Sequence, residues 1–252
     1  MDSSPLLELK GVNKRFGGVI TANNVSFKVQ PGTVHGLIGP NGAGKSTLMN
    51  LISGIYTVDS GEIYLEGKNI TSLPPYTRAQ MGIGRTFQTP RFLQRSNIRD
   101  NLLLGTDLAD KKSYFKSYFT KCNGTYEEDL DRYLKIVGFD VDLDDDITSL
   151  TYGQQKMLEI IRSLLSNPKL MLVDEPAAGL NNKEIEDAMA LINMAAHEKN
   201  IGVLLIEHSM DMIMNICKEI VVINFGKVII NGTPDEIVSN QEVIAAYLGG
   251  GD

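Results

Sequence analysis

The sequence predicts an α/β protein in which a mostly parallel sheet is covered by helices on both faces. A β-rich stretch comes first, and a helical insertion interrupts the α/β body. Three observations carry this reading. Short apolar runs of strand length recur at Val34–Ile38, Leu170–Val173, Val203–Ile206 and Ile220–Ile223. Helical stretches, Lys183–Glu198 and Met210–Cys217, alternate with the last three of them, as in a layered parallel sheet. The first run passes straight into a Gly-rich loop and then a helix, Ser46–Ser53.

Along the chain, Leu6–Lys10 and Asn24–Gln30 alternate like strands, and Pro31 and Gly32 mark a turn. Glu62–Leu65, with a turn at Gly67 and Lys68, suggests another strand pair. Between Thr89 and Asn167 the character changes. Helical spacing appears in Asn97–Leu104, Glu127–Val137 and Gly153–Leu165, with an acidic run, Asp140–Asp146, read as a solvated loop. The last third returns to α/β and ends on a strand, Lys227–Gly232.

The chain's 252 residues suffice for one large domain or two small ones. Its 42% apolar and 22% charged residues are ordinary for a globular protein. A net charge of −7 argues against nucleic acid as a partner, because neutralising phosphates takes clustered Lys and Arg. Cys122 and Cys217 have no metal-binding spacing, and a reduced, intracellular setting is expected. Met1–Lys10 lacks the pattern of a signal peptide, and no run approaches the roughly 18 apolar residues of a membrane helix. A membrane role would therefore come through a partner.

Gly39, Pro40, Asn41, Gly42, Ala43, Gly44, Lys45, Ser46 and Thr47 match the phosphate-binding loop pattern in full. The glycines let the backbone turn its N–H groups inward, and the following helix N-terminus adds to the anion site. Lys45 brings a charge to the β- and γ-phosphates, and the Ser46 hydroxyl is a hard ligand for Mg²⁺. Leu170–Val173 then ends in two carboxylates. Asp174 suits the Mg²⁺ side, through a coordinated water, and Glu175 suits the attacking water as general base. An isolated Asp-Glu pair is more simply a solvated turn. With the loop in the same chain it reads as the second half of a nucleotide site, so ATP and Mg²⁺ are expected.

Leu150, Thr151, Tyr152, Gly153, Gln154 and Gln155 precede that strand and resemble the Leu-Ser-Gly-Gly-Gln signature of ABC ATPases. The resemblance spans nearly the whole chain. It implies a P-loop ABC ATPase fold over residues 6–249, with an N-terminal antiparallel β-subdomain and an inserted helical subdomain. The α/β core would be 6–88 with 168–249, and the insertion 89–167. It also implies two subunits, identical or paralogous, sandwiching two ATPs. Thr151, Gly153 and Gln154 of one would close over the loop of the other. Tyr152 departs from the signature, and its ring must point away from the phosphates or pack beside the nucleotide. Gln88 stands where the family senses Mg²⁺ and the γ-phosphate, and His208 where a switch histidine contacts that phosphate. Phe16 stands where an aromatic stacks on adenine. Asn181 stands where many members carry Asp.

Finer features resemble the ATP-binding subunits of branched-chain amino-acid importers: Gly84–Pro90, Asp174–Asn181 and the ending Ala246–Gly249. The resemblance implies transmembrane permease subunits and, indirectly, a substrate-binding protein. It also implies a place on the cytoplasmic face of the membrane. ATPases of urea or amide importers and of lipopolysaccharide export share much of the pattern. A soluble ABC ATPase acting on nucleic acid, ribosomes or cofactor assembly is the alternative of another class. A regulator that binds but no longer hydrolyses ATP is a third. Lys111–Lys121, basic and aromatic, reads as a solvated segment, and His35 and His197 read as structural.

Overall fold

The computed structural model describes residues 4–104, 106 and 124–243. Cys122, the Lys111–Lys121 segment and the Ala246–Gly249 ending lie outside them. The chain forms two sheets. β1 (Leu7–Phe16), β2 (Val19–Val29), β4 (Ser60–Leu65) and β5 (Lys68–Asn69) make an antiparallel sheet in the order β2-β1-β4-β5. The second sheet holds β3 (Val34–Ile38), β6 (Ile83–Arg85), β7 (Leu170–Asp174), β8 (Gly202–Ile206), β9 (Glu219–Asn224) and β10 (Lys227–Gly232). Its order is β10-β9-β3-β8-β7-β6, parallel except for β10.

The continuous apolar strands are explained by this sheet. Successive side chains point to opposite faces, and both faces are covered. Met171, Val173, Val203, Leu205 and Val222 face one core, packed by α5 (Tyr152–Leu165), α6 (Asn182–His197) and α7 (Met210–Ile216). Leu170, Leu172, Leu204, Ile206 and Val221 face the other, shared with α1 (Lys45–Ile52) and the antiparallel sheet.

Two strands run longer than expected. β1 and β2 continue to a hairpin turn at Gly17–Gly18, with register irregularities after Leu9 and Val12 that break the simple alternation. Three elements were not legible: β6, only three residues long; α2 (Pro75–Gln80); and α8 (Pro234–Ser239), whose Thr233 and Glu236 form a reciprocal N-terminal cap. Arg78 of α2 is buried and donates to the carbonyls of Leu51 and Ile52, closing the C-terminal end of α1. Between residues 89 and 167 the described elements are α3 (Ile98–Leu103), α4 (Gly124–Ile136), a 3₁₀ turn at Ile147–Ser149 and α5. Among the described residues no helix is long and apolar enough to cross a membrane.

Two buried groups titrate in opposite senses. His35 lies inside β3 and accepts the Gln30 N–H at 3.1 Å; burial, with Lys218 nearby, lowers its pKa from 6.5 to about 4. Burial raises Glu159 of α5 from 4.5 to about 7. Between pH 4 and 6.5 the unfolded chain protonates His35 and the folded chain does not, so this contribution to stability rises with pH. Between pH 4.5 and 7 the folded chain keeps the Glu159 proton and the unfolded chain loses it, so this contribution falls as pH rises. Urea unfolding across this range should show the difference. Relative to the unaltered chain, His35→Gln should lose stability with rising pH and Glu159→Gln should gain it. Each slope is at most about 1.4 kcal/mol per pH unit. Two variants that track the unaltered chain would refute the assignment.

Candidate nucleotide site

Parallel strands put their carboxyl ends on one edge of a sheet, where clefts for ligands form. Here β3, β8, β7 and β6 stand side by side in that order. Their ends carry, respectively, the 39–47 loop, His208, Asp174 with Glu175, and Gln88. Four motifs scattered over about two thirds of the sequence therefore meet along one edge.

The loop is held from behind. The Gly226 N–H, in the β9–β10 turn, donates to the Ala43 carbonyl at 2.9 Å, and the Asn23 N–H of β2 donates to the Gly226 carbonyl at 2.8 Å. Lys45 is buried, and its ammonium donates to the carbonyls of Gly39 (2.6 Å) and Pro40 (3.1 Å). Burial lowers its pKa, against the raising fields of Glu175 and Asp174. Gly44 begins α1 with no side-chain cap, and no acidic residue occupies the first turn. The first N–H groups of the helix and Lys45 therefore converge on the place where an anion is best stabilised. Ser46 is exposed there.

Asp174 ends β7, and Arg85 lies 3.8 Å from its carboxylate. Burial raises the Asp174 pKa, against the lowering field of Arg85. Arg85 is itself anchored on Asn50 (2.7 Å) and Ser53 (2.8 Å) of the α1 end. Glu175 takes a left-handed backbone, φ 48°, an uncommon conformation for a residue with a Cβ. It is pinned there by three bonds. Its N–H donates to the Ile206 carbonyl at 2.9 Å, and its carbonyl accepts from Lys156 (2.9 Å) and from the Ala178 N–H (3.3 Å). The carboxylate lies between two partners: the Gln88 amide donates to Oε2 at 2.6 Å, and His208 Nε2 is 3.1 Å from Oε1. Gln88, Glu175 and His208 thus form a connected set. Ser46, Asp174 and the Gln88 amide oxygen are hard oxygen donors, the kind that suits Mg²⁺ when phosphates and water complete its shell.

Phe16 ends β1 with 43% of its surface exposed. Its ring meets Tyr56 edge-on at 5.1 Å and Lys14 lies over it at 5.2 Å, so it sits at the surface rather than in the core. Thr151, Gly153 and Gln154 are a separate group. Thr151 caps α5 by accepting the Gln154 N–H at 3.2 Å, and the Gln154 side chain accepts the Thr151 N–H at 2.9 Å. Among the described residues no hydrogen bond joins them to the 39–47 loop. Tyr152 turns toward its own chain: its hydroxyl donates to the Gln88 carbonyl at 3.3 Å and its ring lies against Gly179. Asn181 and Glu184 cap α6 reciprocally, so the Asn at that position serves a helix start.

Glu207 escaped the sequence reading. It is buried at the end of β8 and accepts the N–H groups of Ala177 (2.7 Å), His208 (2.7 Å) and Ser209 (3.1 Å). One carboxylate thereby ties the turn after Glu175 to the loop that presents His208. Its only signal in the sequence is a charge at the end of an otherwise apolar strand.

A phosphate-binding loop on a parallel sheet, with paired carboxylates two strands away on the same edge, defines a P-loop nucleotide hydrolase. Residues 22–178 match the family described as ABC transporter, and the chain belongs to that family of ATP-binding, ATP-hydrolysing proteins. Residues 227–252 match the description branched-chain amino acid ATP-binding cassette transporter. The chain is 40% identical over 252 residues to the high-affinity branched-chain amino acid transport ATP-binding protein BraF of Pseudomonas aeruginosa, covering 98% of this chain and 99% of that one. It is 38% identical, with the same coverage, to LivG of Escherichia coli, which carries the same description. Among solved structures it resembles the ADP conformation of an ATP-binding cassette of an ABC transporter, with TM-score 0.83 and 32% identity over 98% of this chain and all of that one.

Proposed function

We propose that this chain is the ATP-hydrolysing subunit that drives an importer of branched-chain amino acids. The observation that carries the reading is the Gln88–Glu175–His208 set beside the 39–47 loop, in a chain similar along its length to transport ATP-binding proteins.

In this reading Gly39–Thr47 wraps the phosphates and Lys45 turns from the loop carbonyls to the β- and γ-oxygens. The base stacks on Phe16. Ser46, Gln88 and Asp174 would hold Mg²⁺, which would neutralise charge on the phosphates. Glu175 takes a proton from the attacking water, and His208 orients that carboxylate and meets the γ-phosphate. Thr151, Gly153 and Gln154 serve a second subunit's ATP, because helix α5 offers its N-terminal end there. Two copies, or this chain and a paralogue, then close together. The helical part, residues 89–167, contacts the transmembrane permease at the cytoplasmic face of the membrane, and a binding protein delivers the amino acid from the other side.

The test is uptake. In cells lacking the gene, labelled leucine accumulation should fall about tenfold or more, return with the unaltered chain, and stay low with Lys45→Ala. Uptake unaffected by loss of the gene would overturn the amino-acid assignment, and purification with ribosomes or DNA and without a permease would overturn transport.

A further inference from the structure

Helix α5 grips the main chain of the site along one face. Tyr152, Lys156, Glu159 and Arg162 follow the i, i+4, i+7, i+10 spacing that aligns side chains on a single helical stripe. All four end on backbone groups. The Tyr152 hydroxyl donates to the Gln88 carbonyl at 3.3 Å and Lys156 to the Glu175 carbonyl at 2.9 Å. Glu159 accepts the Phe87 N–H at 3.2 Å, and Arg162 donates to the Arg91 carbonyl at 2.8 Å. Lys156 and Glu159 are 2% exposed, so their polar ends lie in the protein and are satisfied there by these bonds. Arg162 also lies over the Phe92 ring at 4.6 Å and within 3.9 Å of Glu159. Nothing in helix formation calls for a Lys and a Glu at these buried positions. Leu or Met would serve packing alone.

We propose that these four residues are positioning residues. They hold the 87–91 segment and the Glu175 main chain to the signature helix, so that Gln88 and Glu175 are aimed by the helix that Thr151 and Gly153 begin. This rests on the functional reading above and adds a consequence. The helix that serves a second subunit's nucleotide is hydrogen-bonded to the residues that act on this subunit's own. Tyr152, a departure from the signature, is the first rung of that ladder.

The experiment uses the full-length chain. Glu159→Leu removes the acceptor while keeping bulk, and Glu159→Gln keeps an acceptor oxygen. Leu should lower kcat for ATP hydrolysis about tenfold with KM within about twofold, because a mispositioned group costs transition-state stabilisation and not binding. Gln should restore most of the rate. By hydrogen exchange, the Phe87 amide, which Glu159 accepts, should open about tenfold faster with Leu and at the unaltered rate with Gln, while the β7 and β8 amides stay protected. Tyr152→Phe, which deletes one partly exposed hydroxyl and cannot unfold the core, should lower kcat about threefold with unchanged KM and quicken exchange at 87–91. It decides the matter if Glu159→Leu does not fold. Unchanged kcat and exchange in Tyr152→Phe and Glu159→Leu, or Glu159→Gln behaving as Leu does, overturns the proposal. Hydrolysis independent of Glu175 would instead overturn the functional reading.

Discussion

Glu175→Gln should leave a chain that binds ATP with unchanged affinity and hydrolyses it about a hundred to ten thousand times more slowly, the usual worth of a general base. The change removes one negative charge and keeps the shape. The amide oxygen can still accept from Gln88, now at 2.6 Å from the carboxylate, so the surroundings need not repack. The backbone bonds of residue 175 to Ile206, Lys156 and Ala178 do not involve its side chain and keep its left-handed turn. What is lost is an acceptor basic enough to take a proton from water. If hydrolysis reopens a closed pair of subunits, the variant should also accumulate as an ATP-bound dimer on size-exclusion chromatography, while the unaltered chain stays monomeric or passes through the dimer transiently. A rate within a factor of two of the unaltered chain would remove Glu175 from the reaction.

The second large effect is expected from one methyl group. In Gly44→Ala the new Cβ would lie 2.1 Å from the Thr21 carbonyl oxygen, at a backbone φ of 108° that side chains with a Cβ rarely adopt. The obstacle is main chain. Thr21 belongs to β2, which is laddered to β1, and Gly226 packs behind it at 3.8 Å from the same point. Neither can yield cheaply, so the loop must move. Lys45 follows at once, and with it the first turn of α1. Nucleotide affinity should fall by about a hundredfold or more, read by fluorescent ATP analogue binding, while most of the fold persists because, of residues 39–47, the cores take in Ala43 alone. Gly42→Ala is the control: nothing lies within 4 Å of its Cβ, and its cost is confined to its positive φ of 80°. Equal affinity for Gly44→Ala and the unaltered chain would show that the loop is not pinned by β2.

Much of the site was legible because its chemistry depends on order and residue type. A strand leading into Gly39–Thr47, then Gln88, Thr151–Gln154, Asp174 with Glu175 and His208, is a pattern each of whose members needs a specific functional group. The long parallel strands were legible too, since burial on both faces leaves apolar runs. The shorter pieces were not. β6 has three residues, too few for any periodicity, and exists because Gly84 and Arg85 pair with Met171 and Leu172. The extent of β1 was hidden by bulges that disrupt its alternation.

Linear order, composition and the loop pattern were enough to establish an ATP-binding α/β protein and to single out candidate groups for hydrolysis, because those properties reside in the side chains themselves. The relations among groups came only with the tertiary structure. Glu207 became visible only where its carboxylate met three backbone N–H groups from two loops. Tyr152 looked like a lost glycine until its hydroxyl was found on the Gln88 carbonyl. Gly44 looked like a glycine kept for phosphate alone until Thr21 was found against it. Hydrogen bonds and close contacts fall off within a few ångströms, and residues tens of positions apart acquire such distances only when the chain is folded.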